Sequence, residues 1–270
     1  MYDVQVLADS VSPDGHRITT LVVTFPRFIL AEFNTHRMLS RNAASSRAIP
    51  ISVMINQVKQ DPFIPEDWGT FRQGMVAGPA LTGEMVVGAV LAWKYALQYA
   101  LIAAEALSDL KVHKSLVNRL LEPFMWTTVV VTATDWRNFF HLRTRPEAQP
   151  EFRIIALRMQ DALETSTPEP KGPGEWHLPF IREEDRLLGI KNLVRISAAR
   201  CARVSYLTHA GKREPFKDLD LASRLLKDGH MSPFEHPAFC QTTPRRLGNF
   251  TGWTQYRKLI QHEDDPKGVR

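Results

Sequence analysis

Two cysteines, Cys201 and Cys240, in 270 residues exclude a disulfide framework. A reducing compartment fits that count, and both thiols are expected in the core. An unbroken apolar run is also missing. The longest, Met85 to Leu107, is interrupted by Lys94, Gln98 and Glu105, which a lipid-facing helix tolerates only at a cost, so no membrane partner is expected. No basic, then apolar, then small-residue leader opens the chain, because Asp3 and Asp9 stand where such a leader is hydrophobic. The expected location is the cytoplasm. There is no GxSxG elbow, no GxxxxGK[ST] loop and no GxGxxG after a strand, so hydrolase, P-loop and Rossmann readings lose their usual support. His230, His236, Cys201 and Cys240 lack the compact CxxC or HxxxH spacing of zinc ligands, and no metal is expected. No repeat or low-complexity segment is visible.

What is present suffices for a full core: 44% of the residues are hydrophobic, in a length suited to one domain or one domain plus a lobe. Thirty-four Lys and Arg against 29 Asp and Glu leave a formal charge of +5. That favours anionic partners. The basic residues are spread along the chain, which suits a phosphate-bearing small molecule at least as well as a nucleic acid. A nucleic-acid module should also show clustered arginine–aromatic repeats, and these are lacking.

The pattern along the chain is α+β, with helices packed on an antiparallel sheet. Val4 to Leu7 alternates, Ser12-Pro13-Asp14-Gly15 is a turn signal, and Ile18 to Phe28 is rich in β-branched and aromatic residues, which together predict a hairpin. The Pro- and Gly-rich stretch 61–79 predicts a long loop of the kind that often forms a lid. From Leu81 to Leu110 the spacing of Met85, Ala89, Trp93, Leu97 and Leu101 predicts a helix apolar nearly all round, either internal or at a subunit interface. A short helix at Ser115 to Leu121, a buried strand at Thr127 to Thr132, and helices at Trp136 to Arg143 and Ala148 to Leu163 follow. The polar region 165–192 reads as a linker. Leu193 to Tyr206 mixes apolar and basic residues, Leu219 to Leu226 is amphipathic with Gly229 closing it, a strand is expected near Ala238 to Thr242, and a last helix near Trp253 to Gln261.

The stretch 34–49 stands apart. Three arginines, a histidine, two asparagines and three serines crowd into it directly after a strand. Read as a helix, it places His36, Ser40, Ala43 and Arg47 on one face and Arg37, Arg41 and Ser45 on the next. Guanidinium forks and hydroxyls on adjacent faces suit an anionic, oxygen-rich ligand such as a nucleotide, at the mouth of a pocket.

The string His36-Arg37-x-x-Ser40-x-Asn42-x-x-Ser45-x-Arg47 resembles the signature of the flavin-dependent thymidylate synthases, RHRxxSxNxxSxR, with Thr35 in place of its first arginine and Ala43 where many members carry glutamate. Asn138 to Gln149 is similar to the family's NFLxLRxxxxAQ block, with Glu147 replacing a histidine. Ala199 to Tyr206 and Gly229 to His236 resemble its AARVSY and GHxxPFEH pair, which in the family precede the signature and here follow it. The chain therefore looks circularly permuted, as a compact domain with surface termini tolerates. The resemblance covers blocks 32–47, 119–149 and 199–236 of one domain, residues 1–270, with a helical lobe.

The resemblance implies a homotetramer whose sites draw on several subunits. It implies FAD as cofactor, dUMP as nucleotide substrate, and NAD(P)H and methylenetetrahydrofolate as co-substrates, with dTMP as product. Arg47 and Arg119 would polarise the uracil oxygens, and Arg143 and Ser45 would grip the phosphate. His36, Arg37, Asn42 and Asn138 would bind flavin, and His236 would position folate and flavin or relay protons. Glu32 falls where the family usually has glutamine. A carboxylate there could accept a hydrogen bond from a cytosine amino group, so dCMP and a hydroxymethyl or methyl product remain alternatives, as does nucleotide binding without turnover. Arg257 or Lys258 is expected to supply the charge lost at Thr35.

Overall fold

The computed structural model describes residues 1–205, 214–261 and 263–265. Strands β1 (Asp3–Val11) and β2 (Arg17–Pro26) form the expected hairpin across a turn closed by Gly15, whose φ of 80° lies in the left-handed region. A short helix α1 (Leu30–Phe33) follows, and then β3 (Ser40–Ala43). The polar stretch is thus a turn and a strand, not the helix its spacing allowed. Three- and four-residue intervals between polar groups carry no apolar face to anchor a helix, whereas β3 gains a full ladder against β4 (Trp126–Ala133).

Between these strands α2 (Ile51–Gln60), α3 (Glu84–Asp109) and α4 (Lys114–Val117) build the helical lobe, and the expected long loop occupies 61–79. The lobe core joins Met54, Val58, Leu97, Leu101, Val117 and Leu121. Helix α3 is not internal: only Leu97, Leu101 and Ala104 are buried, while Met85, Val87, Leu91, Tyr95, Tyr99 and Ile102 face outward.

Helices α5 (Arg137–Arg143) and α6 (Pro150–Thr165) come next. Proline at the first turn of α6 costs no hydrogen bond, and Phe152, Ile155, Ala156, Met159 and Leu163 recur on one face. That face covers one side of the sheet, against Leu21, Val23, Phe25, Val129, Val131 and Ala133.

Region 165–192 is not a free linker. Strand β5 (Glu169–Pro170) pairs parallel with β1, β6 (Trp176–His177) belongs to a second sheet, and a 3-10 turn spans Glu183–Leu188. Helices α7 (Ile190–Ala202) and α8 (Pro215–Lys227) follow, the latter closed by Gly229 at φ 71°. Strands β7 (Ala238–Cys240), β8 (Arg246–Leu247), β9 (Phe250–Thr251) and β10 (Trp253–Gln255) end the chain, so the last expected helix is a strand followed by the 3-10 turn Tyr256–Leu259. The main sheet runs β3-β4-β2-β1-β5, and β10-β7-β6 form the second sheet. The arrangement is α+β.

The sheet's other face is covered by the C-terminal third. Trp253, Phe250, Cys240 and Ala238 pack on Ile18, and Cys201 and Val204 pack on Val130. Both thiols are buried, which raises their pKa values and leaves them unreactive.

Candidate functional site

Strand β3 has a cationic cluster at each end. At its start, the turn after α1 puts His36 inside, with its ring edge-on to Phe139 at 5.0 Å. Arg143, on the last turn of α5, donates from Nε to His36 Nε2 at 2.9 Å, and its guanidinium lies 4.4 Å over the Phe152 ring. The donor fixes His36 Nε2 as an acceptor. Arg41 donates to the His36 carbonyl. Burial first, then the Arg143 and Arg41 charges, push the His36 pKa down to about 4. Glu32 is exposed and close enough to act on Arg143 electrostatically, and Arg37 is exposed beside Arg41. Asn138 is exposed on α5.

At the other end of β3, Glu122 organises a corner. Its Oε1 accepts from Ser46 Oγ at 2.8 Å and Arg119 Nη1 at 2.9 Å, and lies 3.0 Å from Arg27 Nε. Asn118 Nδ2 donates to the carbonyls of Ser46 and Ile49, which pins the Ser45–Arg47 turn. Arg47 is exposed and its backbone N–H donates to Ser45 Oγ at 3.3 Å. Arg27 and Arg119 thus share one carboxylate, and a net positive charge remains for an anion.

The three sequence blocks meet along this strand. Asn42 Nδ2 donates to the Cys201 carbonyl at 3.4 Å, Ser40 Oγ accepts from Asn249 Nδ2 and Gln255 Nε2, and Thr132 Oγ1 bonds His236 Nδ1 at 2.8 Å. Arg143 therefore lies with His36, and Arg119 with Ser45 and Arg47. Within one chain β3 holds the two clusters apart.

Several residues sit where their expected roles do not put them. His236 is wholly buried, and burial pushes its pKa down to about 3, so it is neutral and not at an open surface. Arg257 is engaged by Glu235 at 2.6 Å and by Glu263, and Lys258 by Glu263 at 2.6 Å. Neither cation is spare to replace the charge absent at Thr35. Arg200 is a buried anchor, bonded to Asp185 at 2.5 and 2.9 Å and to Asp218 at 2.9 Å. Tyr206 lies outside the described residues. A cleft of about 440 Å³ runs between the 67–80 loop and Pro146 to Leu157, with Glu147 and Gln149 in its wall, beside rather than on the arginine clusters.

Sequence reasoning missed Glu122 as the hub, because a glutamate before proline reads as a helix end. It also missed Thr20, Thr132 and His177, since threonine in a strand is ordinary. Two buried threonines at paired positions of β2 and β4 are the signal that pairing, once known, reveals.

The family model described as "Thymidylate synthase complementing protein" matches residues 10–169. No protein of curated function matches the sequence. Among solved structures, the fold is similar to a UMP/dUMP methylase, PolB from Streptomyces cacaoi, bound with 5-Br UMP, at 17% identity and a TM-score of 0.51 over 60% of this chain and 88% of that one. A thymidylate synthase X from Helicobacter pylori with FAD and dUMP aligns over 54% of this chain and 67% of that one, at 16% identity and a TM-score of 0.39.

Proposed function

Because the chain belongs to the family of thymidylate synthase complementing proteins, we propose that it is an FAD-dependent enzyme that transfers a one-carbon unit from methylenetetrahydrofolate to C5 of dUMP, giving dTMP. The observation that carries this reading is the His36–Arg143 contact, which joins the first and second blocks in a setting of Phe139 and Phe152. Aromatic walls with a guanidinium between them suit a planar ring bearing phosphate.

The residues fit the two nucleotides by charge. His36 is neutral, and among the described residues Arg41 and Arg143 have no bonded carboxylate at their end of β3 and favour phosphate, while at the other end Arg119 and Arg47 suit uracil oxygens that gain charge in the reaction. Arg143 and Ser45 hold the nucleotide phosphate. His36, Arg37, Asn42 and Asn138 hold the cofactor, and His236 orients its surroundings from inside. FAD reduced by NAD(P)H supplies the hydride, and the protein's part is to orient rings and stabilise charge.

Since β3 separates Arg143 from Arg47, a complete site takes one cluster from each of two copies in a homotetramer. Helix α3 supports this. Its two buried leucines contribute about 1.5–3 kcal/mol each, little for ordering 26 residues, and its outer apolar face has the length and composition that could also cross a membrane. Lys59 pairs with Glu105 at 2.5 Å on this helix, which favours contact with protein over lipid. The third block docks on β3 and β4 although it lies outside the matched residues, which supports a permuted single domain.

The test is the visible spectrum of the purified protein, then its bleaching by NADPH with and without dUMP, followed by the mass of the product. Flavin colour, faster reoxidation in the presence of dUMP and folate, and the mass of dTMP are expected. A hydroxymethyl mass, or turnover of dCMP opposite Glu32, would redirect the assignment within the family. A colourless protein that takes up no FAD would overturn it.

A further inference from the structure

A line of buried polar side chains crosses the sheet beneath the C-terminal third. Thr20 and Thr132 are paired across β2 and β4 with their hydroxyls 2.7 Å apart. Thr20 Oγ1 also lies 2.8 Å from His177 Nε2, and His177 Nδ1 lies 2.9 Å from Ser10 Oγ on β1. At the other end Thr132 Oγ1 lies 2.8 Å from His236 Nδ1, while the buried His236 Nε2 has no partner among the described residues. We propose that Ser10, His177, Thr20 and Thr132 are positioning residues that fix His236 in its Nε2–H tautomer, so that its free nitrogen presents a donor and never accepts a proton.

The hydrogens decide between two alignments. Both histidines are fully buried and neutral, with pKa values pushed down to about 3, so each ring carries one N–H. Each link needs one hydrogen, and an alignment whose links do not all point one way makes a threonine accept twice and strands its own buried hydroxyl hydrogen, so two alignments compete. In the first alignment Ser10 donates to His177 Nδ1, His177 Nε2–H to Thr20, Thr20 to Thr132, and Thr132 to His236 Nδ1. Only the His236 Nε2–H is then left over. In the reverse alignment His236 Nδ1–H begins the series, His177 Nδ1–H ends it on Ser10, and two groups are left over: the Ser10 hydroxyl, with no other acceptor among the described residues, and the bare His236 Nε2. Each buried group left unpaired is costly, so the first alignment prevails. A group meeting His236 at Nε2 must therefore be an acceptor, such as a carbonyl oxygen. This conclusion rests on no substrate assignment, and its failure would leave the proposed activity standing.

The test is nitrogen NMR of protein labelled with 15N-histidine, the signals of His236 among nine histidines being those lost in His236→Gln. In the unaltered protein His236 should show a bare Nδ1 and a protonated Nε2, unchanged between pH 5.5 and 8.5. Thr132→Val removes the donor to Nδ1, and the two His236 signals should move together as both tautomers become populated. Thr20→Val leaves Thr132 donating to Nδ1 and should preserve the Nε2–H form, whereas Ser10→Ala removes the group whose stranded hydroxyl disfavours the reverse alignment and should let both tautomers appear. A proton found on Nδ1, titration of His236 within that range, or unmoved signals in both Thr132→Val and Ser10→Ala would overturn the proposal.

Discussion

Three histidines that the fold takes from water set how the protein responds to acid. Burial holds His36 at about 4 and His177 and His236 at about 3, against roughly 6.5 in an unfolded chain. Below pH 6.5 the unfolded state binds protons that the folded state refuses. Stability is thus fully present above that value and is lost as pH falls, through all three histidines down to about 4 and through two below it. Each contributes a slope of about 1.4 kcal/mol per pH unit. The urea midpoint should therefore drop clearly between pH 7.5 and 5.5. An unchanged midpoint would mean that these rings take up protons without unfolding. His36 and His236 were visible in the sequence as members of motifs, but their neutrality was not, because it comes from Phe139, Arg143 and Thr132, which are distant in sequence.

At the scale of elements, Arg200 ties α7 to α8 and to the turn at Glu183–Leu188 through Asp218 and Asp185. Arg200→Met would leave Asp185 buried without its cation, and a loss of roughly 3–5 kcal/mol is expected in denaturant unfolding. A loss under about 1 kcal/mol would show that the pair contributes little beyond an apolar side chain. Apolar periodicity made α3, α6 and α8 legible, as alternation did for β1 and β-branched runs did for β2 and β4, whereas the mix of apolar and basic residues over Leu193 to Tyr206 did not mark α7 as a helix. The failures share a cause. Four residues of β3 and three of β10 are too few to show a period, and their identity as strands comes from the partners β4 and β7. Region 165–192 reads as a linker because its order comes from β1, β7 and Arg200, not from itself.

At the scale of the molecule, the motifs name candidate residues and leave the distance between them hidden. Sequence places Ser45, Arg47, Arg119 and Arg143 in one list of ligand groups, and the fold sorts them to opposite ends of β3. In the proposed oligomer the exposed apolar face of α3 would bring a second copy alongside. The most direct test of a site shared between copies is complementation. Arg143→Ala and Arg47→Ala should each lower the activity on dUMP on the order of 100-fold, as loss of a single charge-stabilising donor does. Co-expressed with different tags and purified through both, the mixed oligomer should regain a substantial part of that activity, because some sites then carry both arginines. A mixed oligomer as inactive as its parents would contradict the account.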